Sequence, residues 1–199
     1  MKRRNLLTHF LEMISPMSIK LSDKRYEEIK TIVANTFEKY DIRCVPISGF
    51  EIARKMRITC YPYSSIPKNK RHLLLKKSKD GFSLQTSDEK WRIYYNDEHG
   101  YGRINNTIMH EIGHIILDHS EDSELAEKEV KFFAKYALAP PILISRLNLK
   151  SPSKIASIFN ISYEAAIYAY SYYKKWKKCN ILPLRSYERK ILYLFKAAL

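Results

Sequence analysis

The residues that most constrain this chain are His110-Glu111-Ile112-Gly113-His114. Four steps along a helix leave two side chains about 40° apart around the axis, so both imidazoles converge on one point while Glu111 projects beside them. That spacing is the geometry of a metal hydrolase: neutral imidazoles hold a divalent ion and the adjacent carboxylate addresses a water on it. It demands a helix, expected from Asn106 to Asp118. Ile108, Ile112 and Ile115 fall on the face away from the histidines, so one face anchors the helix in a core and the other lines a cleft. The plain alternative is a pair of structural histidines.

A hydrolytic zinc takes three protein donors and keeps one position open. The extended pattern H-E-x-x-H-x-x-G-x-x-H needs glycine where Leu117 stands and histidine where Ser120 stands, so that class is excluded. His119 is one residue short; on a continuing helix it points away from the histidine pair, as a surface residue or a support behind the ligands. The next helix, expected over Ser123 to Ala139, offers Glu124, Glu127 and Glu129. At about 100° per residue, Leu125, Ala126, Phe132, Phe133 and Tyr136 fall within about 60° of Glu129, whereas Glu124 and Glu127 point to the opposite side. Glu129 therefore sits mid-stripe among apolar residues, where a lone carboxylate is costly and asks for a cation. The expected set is His110, His114 and Glu129 around one zinc ion per chain, with Glu111 as the catalytic base. The competing reading of Glu129 is a buried salt bridge to one of the many basic residues. Two histidines and a carboxylate also suit Fe(II), but the neighbouring Glu111 is what hydrolysis requires.

Around this motif the pattern alternates in type. Tyr26, Ile29, Val33 and Phe37 mark a helix from Asp23 to Tyr40, and Ser48-Gly49-Phe50-Glu51 has capping-box spacing for a second. Ile58–Tyr63, Phe82–Thr86 and Trp91–Tyr95 read as strands, the last two following a Lys79-Asp80-Gly81 turn. Pro67 to Lys77 fits either a short helix or a strand. Pro140-Pro141 stops the helix that carries the glutamates. Ser151-Pro152 opens another helix, Asn160-Ile161-Ser162 turns into one reaching Trp176, and a last begins at Tyr187. The expected fold is α+β, helices packed on a small antiparallel sheet with a C-terminal helical extension. Its divisions are a tail or docking helix over residues 1–20, the metal-bearing domain over 21–145 and the extension over 146–199. The Trp91–Tyr95 strand presents an edge on which an extended substrate could add, making Trp91, Ile93 and Tyr95 the expected substrate contacts.

Composition narrows the class. With 35 Lys+Arg against 21 Asp+Glu the net charge is +14, which suits an acidic partner, a nucleic acid or a negatively charged protein face. No apolar stretch approaches the roughly 20 residues of a membrane span, and the basic start lacks a cleavage site, so no membrane association and no export signal are expected. Cys44, Cys60 and Cys179 are an odd, widely spaced set, pointing to the reducing cytoplasm.

The run Trp91-Arg92-Ile93-Tyr94-Tyr95-Asn96-Asp97, then Arg103-Ile104 through His110-Glu111-Ile112-Gly113-His114-Ile115-Ile116-Leu117, then Glu127-Lys128-Glu129 with Phe133-Ala134 and Leu138-Ala139-Pro140, resembles the ImmA/IrrE family of bacterial metallopeptidases. Ser78-Lys79-Asp80-Gly81-Phe82 is similar to a phage-associated branch. Carried over, the family's ligands fall on His110, His114 and Glu129 and its catalytic glutamate on Glu111; Val130 and Lys131 depart from the family's usual alanine and asparagine. The resemblance implies a zincin-like, gluzincin-type fold and a zinc endopeptidase that cleaves helix-turn-helix repressors of mobile-element or stress-response genes. No added sensory domain is expected. Lys154 to Ala166 itself reads like helix-turn-helix, followed by Lys174, Lys175, Lys177 and Lys178. Its second helix is mostly Tyr, Ala and Ile, poor in the Arg, Asn and Gln that read bases, so packing is its expected use. The rival class is a DNA-binding or protein-docking regulator whose metal site is vestigial or structural.

Overall fold

A computed structural model describes residues 20–119, 121, 123–179 and 183–197. The expected tail or docking helix over 1–20 lies, but for exposed Lys20, outside the described residues. Chain order runs α1 (Asp23–Lys39), α2 (Gly49–Lys55), β1 (Thr59–Pro62), a 3-10 turn (Tyr63–Ser65), α3 (Lys68–Lys77), β2 (Gly81–Gln85), β3 (Trp91–Tyr95), α4 (Tyr101–Ile116), α5 (Glu124–Leu138), α6 (Pro141–Arg146), α7 (Pro152–Phe159), α8 (Tyr163–Cys179) and α9 (Ser186–Leu194). The fold is α+β, as expected.

Local chemistry sets several of the boundaries. Ser22, Ser48, Ser123 and Ser151 each accept a bond from a backbone N–H in the first turn that follows, capping α1, α2, α5 and α7. Asn160 closes α7 in the left-handed conformation, at φ 50°. Pro140-Pro141 does end α5, but Pro141 also occupies the first position of α6, a short helix missing from the sequence reading.

The sheet departs from the expected antiparallel arrangement. Strand order is β1-β3-β2, with β1 parallel to β3 and β2 antiparallel to it. Strand β3 is therefore central and its two edges are already paired. On one face Tyr61, Tyr94 and Phe82 stack in a row, ring centroids 5.4 Å apart at each step. The other face, carrying the wholly buried Ile93, receives α4.

Helix α4 is held from both sides. Ile108, Met109 and Ile112 are buried in a core that extends from Leu21 to Phe195. Buried Asn105 accepts from Gly49 N–H at 2.6 Å and donates to the Ile47 carbonyl at 3.0 Å, so a polar side chain fixes α4 against α2 with its hydrogen-bonding groups satisfied. The helices after α5 close the same core: Phe195 meets Phe37 of α1 edge-to-face at 5.6 Å. In the helix-turn-helix-like segment, Ile155, Phe159, Ile161 and Ala166 are buried. Among the described residues no helix is long and apolar enough to cross a membrane.

Candidate metal centre

Helix α4 delivers its two histidines as the spacing requires. His110 Nε2 and His114 Nε2 lie 3.3 Å apart. Gly113, between them in the motif, brings α5 close: a Cβ there would stand 3.1 Å from a Phe133 ring carbon and 3.3 Å from Val130 Cβ. The near approach of α4 and α5 puts the start of α5 beside the end of α4, and with it a carboxylate. That carboxylate belongs to Glu127. Its Oε1 lies 3.3 Å from His114 Nε2 and 3.5 Å from His110 Nε2.

These three residues form a group able to hold a metal ion, with one ligand atom from each all within 4.8 Å of one another. Their separations fit the donor set. A tetrahedral ion with bonds of about 2.0–2.1 Å has its donors about 3.3 Å from one another. Burial lowers the His110 pKa, which favours the neutral imidazole that ligates. For Glu127, burial works toward a raised pKa, but Lys131, bonded at 3.1 Å, and the facing histidines hold the carboxyl below its ordinary value. Its side chain remains 38% exposed, so the group opens to solvent.

The expected third donor, Glu129, goes elsewhere. It does lie inside the apolar stripe, since it is buried, but its cation is a side chain: Arg25 of α1 donates from Nε at 2.7 Å and from Nη2 at 2.6 Å, one bond to each carboxylate oxygen. His119 Nε2 lies 3.0 Å from the same carboxylate. Glu129 is thus satisfied by the buried salt bridge that competed with metal binding in the sequence reading, and Glu127, which that reading turned away, faces the histidines. His119 stands behind the ligands, its Nδ1 3.3 Å from His114 Nδ1.

Glu111 is buried and points to the sheet edge. Its Oε2 accepts from both the backbone N–H and the hydroxyl of Ser83, at 2.9 and 2.8 Å. Ser83 escaped the sequence reading because only the pairing of β2 outside β3 brings it to the motif. A cleft of about 580 Å³ joins these groups, lined among others by Phe82, Ser83, Asn106, Lys77 and Lys131 together with His110, Glu111, His114 and Glu127. Of the expected substrate contacts only Trp91 lines it. Ile93 is buried beneath α4 and Tyr95 packs on Phe50, centroids 5.4 Å apart, because β3 is the middle strand. The edge open toward the cleft is that of β2.

A helix-borne histidine pair, a facing carboxylate and a buried glutamate in one open cleft make a site of metallopeptidase type. The family model described as the IrrE N-terminal-like domain, Peptidase M78, matches residues 70–171, and the chain belongs to that family. Comparison with curated proteins gives no match.

Proposed function

We propose that this chain is a zinc-dependent endopeptidase in which His110, His114 and Glu127 hold the ion and Glu111 is the general base. The observation that carries the reading is the 3.3–3.5 Å triangle of Nε2, Nε2 and Oε1 atoms beside Glu111 at an open cleft. Zinc bound there would act as a Lewis acid and lower the pKa of a coordinated water to about 7. Glu111 would take a proton from the water as its oxygen adds to the peptide carbonyl carbon, and give that proton to the amine nitrogen as the C–N bond breaks. Ser83 holds the Glu111 carboxylate in place by two hydrogen bonds that leave its other oxygen for the reaction. Strand β2 is the outer strand at the cleft, and an extended peptide would lie along it with the Ser83 N–H kept by Glu111. Among the described residues no fourth donor joins the group, the arrangement a catalytic rather than a structural zinc requires.

The family resemblance extends the proposal to substrate and setting: a helix-turn-helix repressor cut in the cytoplasm, in a phage-associated or stress-response context, within a zincin-like fold. The free cysteines suit a reducing compartment. The test is metal content and cleavage of candidate helix-turn-helix repressors, read by mass spectrometry, for the natural protein beside Glu111→Gln. Both proteins should hold about one zinc per chain and only the natural one should cut. Equal cleavage by the two overturns the mechanism. Selective duplex binding that survives high salt, without cleavage, would instead promote a DNA-binding regulator.

A further inference from the structure

We propose that Arg25, through Glu129 and His119, fixes the tautomer and orientation of His114, so that α1 is a working part of the metal site. The proposal rests on reading His110, His114 and Glu127 as ligands. Its starting point is an unbroken line of contacts: Arg25 to Glu129 at 2.6 and 2.7 Å, Glu129 to His119 Nε2 at 3.0 Å, and His119 Nδ1 to His114 Nδ1 at 3.3 Å. The side chains of Glu129 and His119 are 8% and 12% exposed, so water competes little for these bonds.

Donor and acceptor chemistry gives the line one direction. A guanidinium can only donate, so Glu129 is the acceptor on both oxygens and remains a carboxylate. It then accepts from His119 Nε2–H. A His114 that ligates through Nε2 carries its proton on Nδ1, and the facing His119 Nδ1, 3.3 Å away, is then the acceptor, with the His119 proton on the Nε2 that meets Glu129. In this arrangement His114 donates from Nδ1, which leaves its Nε2 lone pair free. That is the nitrogen facing His110 and Glu127. Three links from a fixed cation thus select the ligating form of His114. A ring with its proton on Nε2 would set two hydrogenless Nδ1 atoms against each other and offer no lone pair to the site.

Arg25 is itself held in place. Its backbone N–H caps onto Ser22 Oγ at 3.1 Å and its Nη1 reaches Glu28 at 3.1 Å. It also lies outside residues 70–171, the stretch matched by the family model, whereas His114, His119 and Glu129 lie within it. An element outside the matched stretch therefore supplies the end of the relay.

A merely structural ion pair between α1 and α5 would affect stability without touching the ion, and this separates the two readings. Zinc affinity is measured by competition with a chromophoric chelator, and the visible spectrum of the Co(II)-substituted protein reports ligand geometry. Glu129→Gln and His119→Phe should each weaken zinc binding about 10- to 100-fold and shift the Co(II) bands. Tyr26→Ala removes another α1–α5 contact, the Tyr26–Phe132 ring pair at 4.6 Å, and should leave affinity and spectrum as in the natural protein. Arg25→Lys, the mildest change, covers the event that the others fail to fold; it should produce a smaller loss in the same direction. Natural affinity and spectrum in the folded variants overturn the relay alone. A His110→Ala protein that binds zinc as tightly as the natural one overturns the ligand set, and the relay with it.

Discussion

Glu127 and Glu129 stand two positions apart and do opposite work. Hydrophobic periodicity finds the side of a helix that faces the core, and Glu129 lies there. The group that could hold an ion opens to solvent, so its carboxylate comes from the border of the buried stripe, where half-exposed Glu127 stands. The usable signal was topological: a short link between α4 and α5 returns the first turn of α5 beside His114. Lys131, four residues after Glu127, supplies the complementary charge on the outer side. Accordingly Glu127→Ala should bring zinc retention after dialysis from about one equivalent to near none. Metal analysis of the dialysed protein reads this directly, and retention of a full equivalent would remove Glu127 from the site.

At the scale of elements, what could be read depended on whether local sequence carried the signal. The serine caps did, and so did the burial of Ile108 and Ile112. Helix α3 did not: it has no buried residue, and without a buried face there is no apolar period to find. Helix α4 begins at Tyr101, earlier than the expected Asn106, because its N-cap is Gly100, which has no side chain to announce it. Strand direction was equally silent, since alternation is the same for parallel and antiparallel partners; the link through α3 and β2 returns the chain to set β3 parallel with β1. Asn105 is where elements are fastened, and Asn105→Ala leaves a buried N–H and a buried carbonyl without partners. Chemical denaturation should show a loss of about 2–4 kcal/mol. The turn into β2 has a pH-sensitive fastening. Arg103 bonds Asp80 at 2.6 Å and, with His99, holds its carboxyl below the ordinary value of 3.8. A depressed folded value means the contribution is present above pH 3.8 and disappears as the pH falls through the lower folded value. The difference in melting temperature between the natural protein and Arg103→Met should thus be largest near neutrality and vanish in acid.

Across the whole molecule, the helices beyond α5 close the core that carries the histidine helix α4. Phe195 is wholly buried against Phe37, and Ile191 and Leu194 are buried beside it. Tyr187 of α9 donates to Glu27 of α1 at 3.0 Å, and Lys190 reaches Asn35 and Glu38. Phe195→Ala should therefore cost about 3–5 kcal/mol of global stability, although the residue caps the end of α9 and is on neither α4 nor α5. Unfolding monitored by circular dichroism tests this; a change under 1 kcal/mol would mean that α9 is not part of the cooperative unit.

By itself the sequence determined the histidine pair, the glutamate between them, the helix that carries all three and the family to which they belong, because each is encoded within a few consecutive residues. Only the tertiary structure decided which acidic side chain meets the histidines, which strand lies at the edge, and that an arginine from the first helix neutralises Glu129. Those outcomes depend on which elements become neighbours, and the competition between a cation on another helix and an ion in a cleft is settled by distances that no single helix contains.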